Sequence, residues 1–389
     1  MKNHLIKTGA ILLAAAFLLP LSSCAGTETP TEAETAAEQT AGETTAEQTT
    51  GEATEAPPEP EKITPGEGET VSLLNAEMTA WLSKYKKSRL DKICDFTEKC
   101  APVPVSFYWG GDYDYTNLFV SENADLSDPL VFLCSGKGAE IEELLPGTDY
   151  YWRTESYKGG EKTVSETHSF KTLQTPLTVL IPGISNVRDI GGKATFDGKR
   201  VKYGIAYRGA DLSRLTDEGK RKAVDVLGIK TELDLRNKVN GTSPFGKEVK
   251  YVSVTAPYYV NVTEDSYKDD LVAEMRVFAD PENFPVYYHC SLGRDRTGTL
   301  TLFLLGLLGV SDNDIYMDYE ISFFSDCNGY IEASPPAPSL MTSQLTSLRS
   351  MLAPGKKPLY DGVRAFLKEL GMTDEELDAI RANMLEDVQ

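Results

Sequence analysis

The spacing of apolar residues divides the chain beyond residue 70 into three segments, 71–100, 101–174 and 175–389. In the first, apolar residues recur at helical spacing, which predicts a helix over 73–90 and a helical lead-in to the rest of the chain. The largest apolar groups on one side of this helix are Trp81, Leu82 and Tyr85.

The segment 101–174 alternates apolar and polar residues in short runs separated by glycine and proline, which predicts a small all-β sandwich. Its clearest part is the turn and aromatic strand Leu-Leu-Pro-Gly-Thr-Asp-Tyr-Tyr-Trp-Arg at 144–153, and Ser-Phe-Lys-Thr at 169–172 closes the segment. These stretches resemble a fibronectin type III module. The resemblance implies a spacer or docking domain, with ligand binding as the alternative.

The segment 175–389 alternates apolar strands with helical stretches, which predicts one α/β domain with a central sheet flanked by helices. The strands are expected at 230–235 and 286–289, and the helices at 216–227 and 374–385. The apolar run 299–310 is too short to cross a bilayer and is expected to be a core helix.

Residues 1–23 have the pattern of an export signal, because Lys2 and Lys7 precede a short apolar run that ends in Leu-Ser-Ser-Cys at 21–24. This ending resembles a bacterial lipobox, which implies cleavage before Cys24 and lipidation of that cysteine. The protein is therefore expected to be exported and lipid-anchored to the bacterial membrane, at the cell surface or the periplasmic face. An ordinary signal peptide with a chance cysteine is the alternative.

Residues 24–70 are rich in Thr, Glu, Ala, Gln, Gly and Pro, which predicts a disordered acidic tether with too little apolar surface to bury. Twelve Glu and one Lys between residues 27 and 70 give a net charge of −11, so −9 of the total of −20 lies elsewhere. The sequence has no basic stripe, and nucleic acid is therefore not expected as a partner.

Histidine is scarce, and this limits the chemistry that the chain can perform. The three histidines are His4 in the predicted leader, His168 in the β segment and His289. A Ser-His-Asp hydrolase needs a histidine beside its serine, and a zinc hydrolase usually needs two or three histidine ligands. The sequence therefore favours neither class, and no metal or other cofactor is expected.

The strongest chemical signal is the run Pro-Val-Tyr-Tyr-His-Cys-Ser-Leu-Gly-Arg-Asp-Arg-Thr-Gly at 285–298. A strand leads in and an apolar helix leads out, so the loop between them can turn its backbone N–H groups inward and bind an anion at the helix N-terminus. Cys290 at the floor of this loop is expected to be a thiolate. Arg296 can grip two phosphoryl oxygens, Gly293 permits tight curvature, and Thr297 can hydrogen-bond the sulfur.

This run resembles the His-Cys-x5-Arg-Thr signature of the cysteine-dependent protein tyrosine phosphatase superfamily. Three further blocks resemble its atypical bacterial tyrosine and lipid phosphatase family. They are Asn-Val-Arg-Asp-Ile-Gly-Gly at 186–192, Tyr-Arg-Gly-Ala and Leu-Ser-Arg-Leu-Thr within 207–216, and Leu-Gly-Ile-Lys-Thr-Glu-Leu-Asp-Leu-Arg at 227–236. Their order, over nearly all of 176–387, implies a cysteine-phosphatase fold in the domain 175–389.

The resemblance implies hydrolysis of a phosphate monoester in two steps, through a phosphocysteine at Cys290. The phosphate-binding loop would supply the charge that a metal would otherwise provide, from Ser291, Leu292, Gly293, Arg294, Asp295 and Arg296. Asp295 is expected to be the general acid, and the alternatives are an aspartate within 263–270 and Asp234.

The same resemblance implies supporting roles for residues around the loop. His289 is expected to orient the loop and support the thiolate, with a role as general base as the alternative. Arg188 and Asp189 would brace the loop or shape the pocket rim, with a purely structural turn as the alternative. Two further residues would either meet substrate phosphates or form structural ion pairs, Arg208 and Arg236.

Arg294 stands where the family often has lysine, and a second cation in the loop suits substrates with several phosphates or with acidic neighbours. The expected partner is a phosphotyrosine protein, a phosphoinositide or both. The alternatives are a phytase-like hydrolase of inositol phosphates and a non-catalytic surface protein that binds through its β-sandwich. A rhodanese-type sulfurtransferase is disfavoured by the Arg-Thr ending of the loop.

Four cysteines have no role assigned by these patterns, namely Cys94, Cys100, Cys134 and Cys327. Outside the cytoplasm a disulfide among the first three is open, but the sequence does not choose a pairing.

Overall fold

The computed structural model of the protein describes residues 12–13, 62–85, 97–236, 241–326 and 337–388. Most of the predicted export signal and most of the predicted tether lie outside these residues, as do Cys24, Cys94 and Cys327. Export and lipidation therefore stay predictions.

The described residues before 175 form nine strands. They are β1 (Leu12–Leu13), β2 (Glu69–Val71), β3 (Val105–Tyr108), β4 (Tyr115–Ser121), β5 (Leu130–Cys134), β6 (Gly138–Ile141), β7 (Asp149–Lys158), β8 (Glu161–Val164) and β9 (His168–Thr172). The larger sheet has the order β1-β5-β4-β7-β9-β2, with β8 paired to β7, and β3 pairs with β6 in a second sheet. Trp152 of β7 and Phe107 of β3 meet edge to face with ring centroids 5.3 Å apart, so the two sheets share one apolar core. The likeness to a fibronectin type III sandwich stays a prediction.

The predicted tether ends earlier than expected, because residues 62–70 lie against these strands. β2 pairs in parallel with β9, and the Thr64 N–H donates to the Tyr108 carbonyl at 3.1 Å. The buried Trp152 indole N–H donates to the Pro65 carbonyl at 3.2 Å. The prediction of disorder is therefore wrong for 62–70, since backbone hydrogen bonds rather than apolar side chains hold this part in place.

The rest of the described chain is a mixed α/β structure, as the sequence predicts. Its strands are β10 (Leu177–Thr178), β11 (Arg188–Asp189), β12 (Lys199–Val201), β13 (Ala206–Gly209), β14 (Thr231–Asp234), β15 (Lys250–Ser253), β16 (Val286–His289) and β17 (Leu385–Asp387). A six-stranded sheet has the order β10-β11-β13-β16-β14-β15, and its last four strands are parallel. β12 and β17 form a separate antiparallel pair.

The helices are α1 (Ala76–Ser83), α2 (Asp217–Arg221), α3 (Lys268–Val277), α4 (Asp295–Leu308), α5 (Asp312–Ile321), α6 (Pro338–Leu352), α7 (Leu359–Glu369) and α8 (Asp374–Met384). A π-helical turn, Lys222–Val226, continues α2, so the predicted helix over 216–227 is observed in two parts. Short 3-10 helices lie at Tyr259–Thr263, Asp265–Tyr267, Pro281–Asn283 and Ser322–Phe324.

Helix α4 is the core helix that the apolar run 299–310 predicts. All residues from Thr297 to Leu308 are buried, and Gly309 ends the helix with a φ of 86°. None of the helices in the described ranges combines the length and the apolar character that a membrane span requires.

Helix α1 packs into the core of the α/β segment, although a separate helical lead-in was expected at 71–100. Leu74 and Met78 belong to the same buried cluster as α4, and the Lys99 N–H donates to the Phe324 carbonyl at 2.8 Å. The helix is also shorter than the predicted 73–90, because it spans Ala76–Ser83, and residues 86–96 lie outside the described ranges.

Cys100 and Cys134 are not bonded to each other, because they lie in different cores. The Cys100 thiol donates to the Ile321 carbonyl at 3.2 Å within the α/β core. Cys134 is buried in the β core, and burial raises the pKa of its thiol to about 11. These two thiols therefore do not form the disulfide that the sequence left open.

Candidate active site

The run 290–296 lies where three parallel strands end. Gly209 of β13 and Asp234 of β14 both stand in register with His289, the last residue of β16. Cys290 follows β16 directly, and α4 begins at Asp295. The loop between them therefore lies at the carboxyl edge of the sheet and at the N-terminus of a buried helix, where anions are stabilised.

Consecutive carbonyls of this loop point outward, because each meets a donor from a surrounding element. The Ser291 carbonyl accepts from the Asp211 N–H at 3.2 Å, and the Leu292 carbonyl accepts from Asn186 Nδ2 at 2.8 Å. The Gly293 carbonyl accepts from Arg208 Nη2 at 2.8 Å. Since N–H and C=O point in opposite directions across a peptide, this arrangement turns the loop N–H groups inward.

The inward N–H groups are available to a ligand. Within the described residues, no protein acceptor meets the backbone N–H of Ser291, Leu292, Gly293, Asp295 or Arg296. Cys290 begins this ring and is 5% exposed. The loop therefore has the backbone arrangement that an anion-binding nest requires, and the binding of an anion there stays a prediction.

Gly293 allows the loop to approach β13. Its φ is 67°, and a Cβ at this position would overlap the backbone of Gly209. A side chain here would both strain the backbone and separate the loop from the strand.

Two buried arginines brace the loop from behind. Arg208 binds the Gly293 carbonyl and also Asp318 of α5, with Nη1 2.5 Å from Oδ1. Arg188 donates to Asn186 Oδ1 at 2.6 Å, and its Nε lies 3.5 Å from Asp318 Oδ2. Burial alone would raise the pKa of Asp318, but the charges of Arg188, Arg208 and Lys193 hold it well below its usual range.

The bracing role decides between the alternatives that the sequence left open for these arginines. Arg188 and Arg208 are both fully buried, so they hold the loop rather than meet substrate. Arg236 lies 2.9 Å from Asp211 and 2.8 Å from Asp234, so it forms structural ion pairs with these two carboxylates.

Asp189 lies away from the loop. Its carboxylate accepts from the N–H groups of Gly191 and Gly204, and it is fully buried. Burial raises the pKa of Asp189 to about 6, although these two hydrogen bonds work in the opposite direction. Of the two alternatives that the sequence left open for Asp189, these contacts favour the structural turn.

His289 links the loop to β14. Its Nδ1 lies 3.2 Å from the Cys290 carbonyl, and its Nε2 lies 3.0 Å from Glu232 Oε1. Both ring nitrogens are thus engaged, which fits the expected orienting role and leaves neither available as a general base. Glu232 in turn accepts from the Ser243 hydroxyl.

Glu232, Asp234 and His289 place three potential metal ligands within 4.8 Å of one another. Each is already held by protein groups, because Glu232 binds His289 and Asp234 accepts from Arg236 and Tyr251. The set is therefore explained by these contacts, and no step of the chemistry below passes through a metal.

Arg296 makes weaker contacts than the other arginines of the site. Its Nη1 lies 3.5 Å from the Leu235 carbonyl, and its guanidinium lies 5.9 Å from the ring centroid of Tyr258. It forms no ion pair with any described residue. The buried Glu274 is nevertheless close enough for the charge of Arg296 to act on its carboxyl group.

Arg294 is held in place and does not offer its charge freely to a substrate. Its Nε lies 3.1 Å from Asp295 Oδ1, and its guanidinium stacks over Phe323 at 5.6 Å. Arg294 is 6% exposed. The sequence argument that this position adds a second cation for polyphosphorylated substrates is therefore weakened.

The candidates for the general acid differ in their surroundings. Asp295 is partly exposed and lies within the loop. Burial disfavours the charged form of Asp234 and by itself would raise its pKa. Arg236 and His289 together have the larger, opposite effect, so the pKa of Asp234 is lowered. A lowered pKa disfavours Asp234 as the general acid. Within the described residues, no side chain of 263–270 forms a hydrogen bond or ion pair with the loop, and Asp265 instead pairs with Lys268.

Thr297 does not make the predicted bond to the cysteine sulfur. Its buried hydroxyl has no hydrogen-bond partner among the described residues.

Sequence reasoning missed four residues that shape the site. Asn186 and Glu232 lie inside the recognised blocks, and Glu232 is a charged residue beside the apolar Leu233 of a strand, which could have marked it. Tyr259 and Asp318 carry no local signal, because their partners are 36 and 110 residues away in the chain.

Comparison with known proteins gives a consistent result. Residues 179–386 match a model described as the tyrosine phosphatase family. A Cupriavidus necator protein, provisionally named a tyrosine-protein phosphatase, is 29% identical over 163 residues, which cover 35% of this chain and 59% of that protein. A Nostoc commune tyrosine-protein phosphatase is 24% identical over 224 residues, which cover 46% and 73% respectively.

Among solved structures, the core catalytic domain of the PP-IP phosphatase SIW14 from S. cerevisiae is similar with 20% identity and a TM-score of 0.27. The match covers 37% of this chain and 83% of that chain.

Proposed function

Because the chain belongs to the tyrosine phosphatase family, we propose that it hydrolyses phosphate monoesters with Cys290 as the nucleophile. The observation that carries the proposal is the loop 290–296, in which the carbonyls of residues 291–293 are bonded outward, so that the N–H groups that follow them point inward.

The first step is an in-line displacement at phosphorus. The Cys290 sulfur forms an S–P bond while the ester P–O bond breaks, and the departing oxygen takes a proton from Asp295. In the second step water attacks the phosphocysteine and gives its proton to Asp295. The S–P bond then breaks, and inorganic phosphate and the thiolate are released.

The loop stabilises the charge that develops during both steps. In the proposed reaction the backbone N–H groups, the N-terminus of α4 and the Arg296 guanidinium would bind the equatorial phosphoryl oxygens. Preorganisation is the reason for the brace around Asp318, because donors that are already fixed need not reorient when the reaction occurs.

The substrate that we propose is a phosphotyrosine protein. Arg188, Arg208, Arg236 and Arg294 are all engaged with carboxylates, and Arg296 is the loop cation without an ion pair in the described ranges. One such cation suits a single phosphate better than a phosphoinositide or inositol polyphosphate. The exposed Tyr258 ring beside Arg296 offers a surface for an aromatic leaving group.

The test is phosphate release from a phosphotyrosine peptide, a phosphoserine peptide, phosphoinositides and inositol hexakisphosphate, each in reductant and chelator. We expect turnover of the phosphotyrosine peptide that disappears in Cys290→Ser and persists in Cys134→Ser, a matched change remote from the loop. Equal turnover by wild type and Cys290→Ser would overturn the mechanism. Preference for a polyphosphorylated substrate would overturn the substrate assignment alone.

We also propose that the chain is exported and anchored through Cys24, with the segment 101–174 acting as a fibronectin-like spacer. The support is the resemblance of the run 21–24 to a lipobox and the shared core of the two sheets. In a bacterial host, the wild-type protein should sediment with membranes and Cys24→Ser should not. Equal sedimentation of the two would contradict the anchor.

A further inference from the structure

The two carboxylate oxygens of Asp295 have different surroundings. The Tyr259 hydroxyl donates to Oδ1, and the Tyr319 hydroxyl lies 3.3 Å from the same oxygen. Arg294 Nε also reaches Oδ1, at 3.1 Å. Among the described residues, Oδ2 meets one donor, Arg294 Nη2 at 3.3 Å.

This asymmetry determines which oxygen can carry a proton. An oxygen that already accepts hydrogen bonds from several donors has no lone pair left for an acidic proton, whereas the less occupied oxygen does. The proton that Asp295 gives to the leaving group is therefore carried on Oδ2.

Tyr259 is built rigidly into this position. Its backbone is left-handed, with a φ of 54°, and its N–H donates to Thr299 Oγ1 at 2.8 Å. Its hydroxyl also lies 2.6 Å from that of Tyr319. The ring is thus fixed by α4 on its backbone side and by two polar groups at its tip.

We propose that Tyr259 is a positioning residue that reserves Oδ2 of Asp295 for proton transfer to the leaving group. The proposal rests on the proposed function. Burial, with the nearby Tyr319 and Asp295, raises the pKa of Tyr259 far above its usual range, so the hydroxyl keeps its proton and remains a donor at neutral pH.

The test uses two substrates that differ in their need for an acid. Phosphotyrosine has a poor leaving group that requires a proton, whereas the nitrophenolate of para-nitrophenyl phosphate can leave as an anion. In Tyr259→Phe we expect kcat/KM for phosphotyrosine to fall about tenfold or more, the size expected for one lost hydrogen bond to a charged group. The value for para-nitrophenyl phosphate should fall less than about threefold, well below that range.

Three further variants complete the design. Asp295→Asn should likewise reduce kcat/KM more for phosphotyrosine than for para-nitrophenyl phosphate, and the loss for phosphotyrosine should be larger, about 100-fold. Tyr319→Phe, which leaves Tyr259 in place, should show the same selective loss of kcat/KM to a smaller extent. This variant replaces Tyr259→Phe in the test if Tyr259→Phe does not fold. Tyr115→Phe, an exposed residue of β4, should match wild type.

The outcomes separate the two proposals. If Cys290-dependent turnover is absent, the proposed function fails. If turnover depends on Cys290 and Asp295→Asn is selective, but the tyrosine variants lose both substrates equally or neither, the role of Tyr259 fails while the function stands.

Discussion

At Gly293 the loop backbone is left-handed and lies against Gly209, so strain and steric overlap act together. We expect Gly293→Ala to reduce turnover to near background and to lower the free energy of unfolding by about 1–3 kcal/mol. The measurements are phosphate release and urea denaturation.

Gly198 is the matched control for Gly293, because its φ is 77° but a Cβ there would meet open space. Gly198→Ala should lose stability through backbone strain and keep full turnover. Equal loss of turnover in both variants would show that the contact with Gly209 is unimportant.

Asp189 makes the stability of the protein depend on pH. Its folded pKa of about 6 lies above the value of about 3.9 for an unfolded aspartate, so its contribution is fully present below pH 4 and is lost as the pH rises through 6. The stability of wild type relative to Asp189→Asn should therefore be about 2–3 kcal/mol greater at pH 4 than at pH 7. Urea denaturation at both values tests this, and a pH-independent difference would contradict it.

The individual residues of the site were predictable to different degrees. Cys290 and Gly293 follow from local spacing, because one short loop contains everything that defines them. The roles of Arg188 and Arg208 do not, since each depends on Asp318, which α5 brings from more than 100 residues away.

At the scale of elements, α5 holds the loop without containing any of its residues. Asp318 on this helix is the shared partner of two buried arginines, and removing its charge leaves both uncompensated. We expect Asp318→Asn to lower the free energy of unfolding by about 3–5 kcal/mol. Asp314→Asn, a half-buried residue in the first turn of α5 that accepts from the Ser311 hydroxyl at 2.7 Å, should change it by less than about 1 kcal/mol. Similar values for the two variants would contradict a brace centred on Asp318.

Elements were predicted best where the pattern is strictly local. β16 was expected at 286–289 and is observed at Val286–His289, since a run of β-prone residues between a proline and the loop leaves little choice. α1 is shorter than predicted because its extent is set by packing against the α/β core, and β2 was missed because its support comes from backbone pairing with β9.

At the scale of the whole molecule, the packed unit that contains the loop 290–296 extends beyond the predicted boundary at residue 175. Leu74 and Met78 fill the core behind α4, and Lys99 pairs with the segment that follows α5. A chain beginning at residue 175 should therefore unfold at lower temperature than one beginning at residue 62 and should lose most of its turnover. Thermal unfolding and phosphate release test this, and equal stability and turnover of the two chains would restore the boundary at 175.

The peptide groups of the loop take their direction from outward-bonded carbonyls, not from the side chains at 291 and 292. The identity of these two side chains is therefore only weakly constrained by selection, as long as the two carbonyls keep their hydrogen-bond donors. Lineages can drift at these positions without losing the chemistry. Two enzymes that differ there need not differ in ancestry or in reaction, and the record of descent is better sought in Asn186, Arg208 and Asp318, which hold the loop from outside.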